Sequence, residues 1–145
     1  MCFKKKPKIA TGTTIKRIDY IQILLGVGVE PISVKDPLDA TITIASEEEL
    51  RRIAPYLTRP ADDYIAEIAD CEDYAMWGAV KAAFEFHCST VRVTLGESEN
   101  GYHGYNIMVD TNSKVWILEN NAGFPYAGTL MEIGEHGHIP KVVII

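Results

Sequence analysis

The sequence predicts an α+β domain, a central helix that opens at a cysteine and packs on an antiparallel β-sheet. Three observations predict it. Helical patterns dominate the chain up to about residue 87 and short alternating segments follow, unlike the regular alternation of parallel-sheet folds. Asp70 and Asp73 bracket the first turn of a long apolar pattern as N-cap and box partner. The tripeptide TNS at 111–113 joins two strand-like segments as a hairpin turn.

Residues 15–25 (IKRIDYIQILL) fit a helical stripe through Ile15, Ile18, Ile21 and Leu25, and their β-branched content keeps a strand open as well. DATITIA (39–45) reads as a strand. Ser46, with Glu49 three residues on, forms a capping box for a helix over 47–56, which Pro60 stops at the latest. From Asp70 a second helix presents Ala75, Met76, Ala79, Val80, Ala83 and Phe84 as one wide apolar face. It ends near His87, whose imidazolium suits a helix C-terminus. Strands are expected at 90–96, 105–110 and 114–119. Residues 129–133 and 141–145 read as a further strand pair around GEHGHIP, in which His136 and His138, with Glu132 and Glu135, form a solvated turn. Trp77 and Trp116 are expected in the core, and Gly26–Gly28 completes no phosphate-loop motif.

Composition bounds the function. A chain of 145 residues and 16.1 kDa suits one domain over 1–145. With 14 Lys+Arg against 20 Asp+Glu, the net charge of -6 argues against nucleic acid as a partner. The longest apolar stretch, Ile21 to Val29, is broken by Gln22, Gly26 and Gly28, so no membrane span is expected. Lys4, Lys5, Lys6 and Lys8 have no apolar core behind them and read as a solvated tail rather than a secretion signal. Cys2, Cys71 and Cys88 are an odd number in a chain able to build a core, which points to free thiols and a cytoplasmic setting. Cys88 reads as structural and Cys2 as a tail thiol, and nothing calls for an organic cofactor.

The candidate chemistry centres on Cys71. At the first turn of a helix, unpaired backbone N–H groups and the helix dipole favour a thiolate. A thiolate nucleophile takes a histidine as partner, and His103 opens the strand ending at Asp110. Centring the hairpin turn on 111–113 sets Glu119 near residue 105, where it can orient His103, with Asn120 as an amide alternative.

DCEDYA (70–75), HGYN (103–106) and VWILEN (115–120) resemble the papain-like/transglutaminase-like cysteine peptidase core. They are closest to the fungal-agglutinin C-terminal protease domain and its bacterial and phage relatives. The resemblance covers about 60–123 and leaves 1–55 as an N-terminal extension. It implies Cys71 as nucleophile, His103 as general acid/base and Glu119 as orienting acid. A thiol hydrolase acting on a protein or peptide is then the expected function. The alternatives are a transglutaminase-like acyl transferase and a catalytically silent binding or inhibitor module. The oxyanion-hole Gln of such enzymes has no counterpart, so Tyr64 would substitute. Asp70, Glu72 and Asp73 crowd Cys71 and oppose its ionisation, so they either point away or are neutralised by a cation; the resemblance implies a Ca2+ site there, which Asn106 could join.

Overall fold

β1 (Thr14–Lys16) runs directly into α1 (Arg17–Gly26), so residues 15–25 divide between the two states their pattern allows. The structure is a computed structural model describing residues 13–32 and 39–145; Cys2 and the basic start at Lys4 to Lys8 lie outside the described residues. No side chain caps α1, and the Arg17 N–H is taken instead by the Ala40 carbonyl at 3.0 Å. Tyr20 and Leu24 turn inward, and the Tyr20 hydroxyl donates to the Thr90 carbonyl at 2.7 Å.

β2 (Glu30–Ile32) and β3 (Thr41–Thr43) follow, β3 pairing only with β1. α2 (Glu47–Ile53) begins with the expected capping box, Ser46 Oγ accepting from Glu49 N and the Glu49 carboxylate accepting from Ser46 N. A 3₁₀ turn over Ala54–Leu57 ends this segment before Pro60. α3 (Cys71–Phe86) starts after Asp70 and ends at His87, which holds the left-handed φ of 54° at the C-cap. β4 (Arg92–Ser98), β5 (Gly101–Val109), β6 (Val115–Leu118), β7 (Leu130–Met131) and β8 (Ile139–Ile144) complete the chain.

Six strands form one sheet in the order β2-β8-β4-β5-β6-β7, antiparallel except for the parallel β2–β8 edge. The α+β class holds. One expectation is corrected. Residues 129–133 and 141–145 do not pair, because β7 caps β6 at one side while β8 fills the other side of β4. The described part of residues 1–55 supplies β2 to the sheet and α1 to its cover.

The β5–β6 turn is built on Asp110. Its carboxylate accepts from Asn112 N at 2.8 Å, Lys114 N at 3.0 Å and the Trp116 indole N–H at 2.9 Å. This fixes the register Asn106 to Leu118 and Val109 to Val115. Alternation then sends Met108, Trp116 and Leu118 to a core with Leu50, Ile53 and Phe86. Tyr105, Ile107, Val109 and Ile117 face the other way, to Tyr20, Leu24 and Val143. Both faces of the sheet are therefore buried.

α3 buries Tyr74, Ala75, Gly78, Ala82 and Phe86, not the face the sequence suggests. Met76, Val80 and Phe84 are exposed. The small residues at 75, 78 and 82 let the helix lie close to the sheet, and the larger ones one or two positions on face outward. Trp116 is buried, whereas Trp77 is half-buried under two cations, Arg59 at 5.3 Å and Lys81 at 4.4 Å. Among the described residues no helix is long and apolar enough to cross a membrane.

Candidate functional site

Gly104 sets the site. A Cβ there would lie 2.9 Å from both Cα and N of Glu72, so only glycine lets the first turn of α3 rest on β5. That contact brings Cys71 beside His103, the neighbour of Gly104 on the strand. The register of the hairpin sets Glu119 one step beyond β6, and its Oε2 lies 2.7 Å from His103 Nε2. Glu119 is almost fully buried, and its Oε1 accepts from the Asn121 N–H at 2.8 Å.

Burial opposes charge on both partners, and their mutual attraction overrides it. For His103, burial lowers the pKa, but hydrogen bonds to Cys71 and Glu119 outweigh it and raise the ring to about 9. For Glu119, burial raises the pKa, but the hydrogen bond from His103, the His138 ring beside it and the His103 charge bring it down to about 2. At neutral pH the pair is an imidazolium against a carboxylate.

Cys71 Sγ donates to Glu72 Oε2 at 3.2 Å. The crowded acids settle their repulsion locally: Asp70 and Glu72 share a hydrogen bond, which raises Asp70 and contributes to lowering Glu72. Asp73 turns back to accept from the Asp70 backbone N–H at 3.3 Å, as a capping partner does. Tyr64 is exposed beside this turn, edge-on to Tyr74 at 5.8 Å, and burial together with nearby Cys71 raises its pKa.

Asn106 and Asn120 are elsewhere. Asn106 faces the α3 side of the sheet and donates to the carbonyls of Ala75 (2.7 Å) and Arg92 (3.1 Å). Its Oδ1 accepts from Asn120 Nδ2 at 2.7 Å, and Asn120 also donates to Leu57 O at 2.8 Å. Asn106 thus spends its amide on buried backbone and does not join the Asp70–Glu72 carboxylates in a cation site. Asn120 does not orient His103. Cys88 is buried and its thiol is pushed up to about 12 by desolvation, as suits a packing residue.

The sequence reading missed His138. Expected in a solvated turn, it is fully buried just before β8, with its ring 4.7 Å from that of Tyr105 and its Nε2 3.5 Å from Glu119 Oε2. His136 is the exposed member, stacked on Tyr126 at 3.9 Å. Only the pairing of β8 with β4 brings His138 to Glu119, and no local signal encodes that pairing.

A cavity of about 300 Å³ opens at the end of α3, its walls running from Cys71, Glu72 and His103 to Met76, Leu95 and Ile144. Gly104→Ala tests how this end is built. The variant is expected to stay folded, shift the first turn of α3 and lower the His103 titration midpoint by about one pH unit through loss of the Cys71 contact. An NMR titration of the imidazole, compared with wild type, checks it.

No protein family's sequence profile and no curated protein matches the chain. Solved structures do. One is described as "PSL1a-E64 complex", 17% identical with a TM-score of 0.65, covering 91% of this chain and 51% of that one. The other is Polyporus squamosus lectin bound to the human-type influenza-binding epitope Neu5Aca2-6Galb1-4GlcNAc. It is 18% identical with a TM-score of 0.59, covering 91% of this chain and 49% of that one. The chain shares their fold and spans about half of their length.

These neighbours correct the expected relationship. The three short motifs pointed to a papain-like/transglutaminase-like cysteine peptidase, but the matching fold is that of a lectin chain, and no sequence relative supports the peptidase. Thiol hydrolase, cysteine protease and catalytic triad are therefore withdrawn as descriptions of this chain. The physical reason is that each motif reports local structure. DCEDYA is a helix start whose Asp73 caps the helix and whose Glu72 takes the Cys71 hydrogen bond, and HGYN and VWILEN are two strands of a hairpin.

Proposed function

We propose that the chain is a binding module whose ligand lies in the groove at the N-terminus of α3, against Cys71 and His103. The observation that carries this reading is the groove itself, a cavity of about 300 Å³ with two unlike ends. Met76, Val93, Leu95 and Ile144 form an apolar wall. His103, raised to about 9, stands at the polar end as a cation. A ligand with an apolar body and an anionic or polarised carbonyl head fits both. The sialylated epitope bound by one structural neighbour carries such a head. Glu119 acts as a positioning residue that keeps His103 charged, and Tyr64 flanks the thiol. The free thiols of Cys71 and Cys88 support a reducing, cytoplasmic setting.

Calorimetric titration of the full chain with that trisaccharide and with E64, each followed by intact-mass measurement, tests the reading. One-to-one binding of at least one compound is expected, weakened about tenfold or more by His103→Ala. Binding of neither, or equal binding by wild type and variant, overturns it.

A second reading, thiol acyl transfer, is favoured by the hydrogen bonds tying the His103 ring to both Cys71 and Glu119. Cys71 would pass its thiol proton to Glu72 as its sulfur adds to an acyl carbonyl, and the leaving group would depart with a proton from His103. An amine would then take the acyl group from the thioester and return the thiol. An acyl adduct on Cys71 that an added amine discharges supports this reading; a Cys71 unmodified by every acyl donor removes it.

A further inference from the structure

His138 poses a problem that the groove does not answer. Its ring is fully buried, and its Nε2 has no hydrogen-bond partner. Its Nδ1 lies 3.2 Å from the Glu135 carbonyl oxygen. A carbonyl only accepts, so Nδ1 donates to it and Nε2 is the ring nitrogen left without a partner. Nε2 lies 3.5 Å from Glu119 Oε2. A buried ring nitrogen without a partner beside a buried carboxylate is an arrangement that a bound cation satisfies.

His103 completes the set. One ring nitrogen of each histidine and one Glu119 carboxylate oxygen lie within 4.8 Å of one another. Zinc ligands at ~2.0 Å in a tetrahedral arrangement stand about 3.3 Å apart. The contacts of 2.7 Å (Glu119 to His103) and 3.5 Å (Glu119 to His138) bracket that spacing, and the two histidine nitrogens stand within 4.8 Å, so side-chain adjustments suffice without moving the backbone. Two imidazoles and one carboxylate are a donor set of the zinc class rather than of the calcium class, which prefers oxygen. The Glu135 carbonyl on His138 Nδ1 is the outer contact that orients a ligating histidine. His103, with its side chain 14% exposed, is the way in.

We propose that His103, Glu119 and His138 form a binding site for a zinc-class divalent ion. The site does not rest on the groove ligand. An ion there takes His103 Nε2 away from Glu119 and leaves only the opposite ring nitrogen toward Cys71. Metal would thus restrain the groove from behind.

The test uses the metal-stripped full chain and Zn2+ alone, by calorimetry with chelator competition. One ion per chain with a Kd in the micromolar range or tighter is expected. His138→Gln and Glu119→Gln should each weaken it about tenfold or more, and Asp70→Asn should leave it unchanged. The last variant separates this site from the Asp70–Cys71–Glu72 group. No binding below millimolar Zn2+, unchanged affinity in His138→Gln, or loss in Asp70→Asn each overturns the proposal. Should His138→Gln not fold, the imidazole ¹⁵N signals of the wild type decide: Zn2+ must shift both His103 and His138, and a silent His138 overturns it.

Discussion

Glu119→Gln is expected to destabilise the protein by up to about 3 kcal/mol near pH 5.5 and by progressively less toward either extreme of pH. The magnitude follows from the pair. His103 rises from 6.5 to about 9 and Glu119 falls from 4.5 to about 2, each about 2.5 units at about 1.4 kcal/mol per unit. The two shifts overlap in the His103–Glu119 contact and are not added; Cys71 contributes to the first, and His138 and the Asn121 N–H to the second, so about 3 kcal/mol is an upper figure for the pair. The signs set the window. A raised imidazole contributes fully below 6.5 and loses its contribution as pH climbs through about 9. A depressed carboxylate contributes fully above 4.5 and loses its contribution as pH falls through about 2. The pair is therefore worth most between 4.5 and 6.5. Urea unfolding of wild type and Glu119→Gln at pH 3, 5.5 and 9.5 checks it. A difference independent of pH would assign the loss to packing rather than to charge.

Gly78→Ala is expected to lower stability by about 3 kcal/mol, or Tm by roughly 10 °C, against the direction that helix propensity gives. In an exposed helix the same change stabilises by up to about 1 kcal/mol. Here the new Cβ would sit 2.4 Å from Asn106 Oδ1 and 2.4 Å from Asn120 Nδ2. Those two atoms form the 2.7 Å hydrogen bond that joins β5 to the segment after β6 beneath α3. Making room breaks a buried amide bond as well as overpacking the helix–sheet contact. The amide pair has little freedom to move, since Asn106 is also held by Ala75 O and Arg92 O and Asn120 by Leu57 O. Differential scanning calorimetry decides, and a rise in Tm would show that the amides relax without loss.

What the sequence made legible is what neighbouring residues encode. The Ser46–Glu49 box, the α3 start after Asp70 and the TNS hairpin each depend on residues a few positions apart. Counting back from that turn sets Glu119 opposite residue 105, as the observed register does. What was illegible depends on long-range pairing. β8 inserts between β2 and β4, so His138 arrives at Glu119 from 19 residues away in sequence without any periodic signal. On α3, apolar side chains at 76, 80 and 84 satisfy a helical stripe as well as the small residues at 75, 78 and 82 do. Only the close approach to the sheet selects the small set. Strand alternation already sets Asn106 on the opposite face from His103, and there its amide is spent on buried backbone. The peptidase assignment failed for a related reason. Three matches of four to six residues fix local geometry around a thiol and an imidazole, and a chain that shares the fold of a lectin structure at 18% identity hosts that geometry equally well.

The most direct test of the site is the titration of the His103 imidazole by NMR in the intact chain. A preassembled imidazolium between Cys71 and buried Glu119 predicts a midpoint of about 9 that falls in Glu119→Gln. A midpoint at or below the ordinary 6.5 would contradict the charged groove on which the binding function is argued.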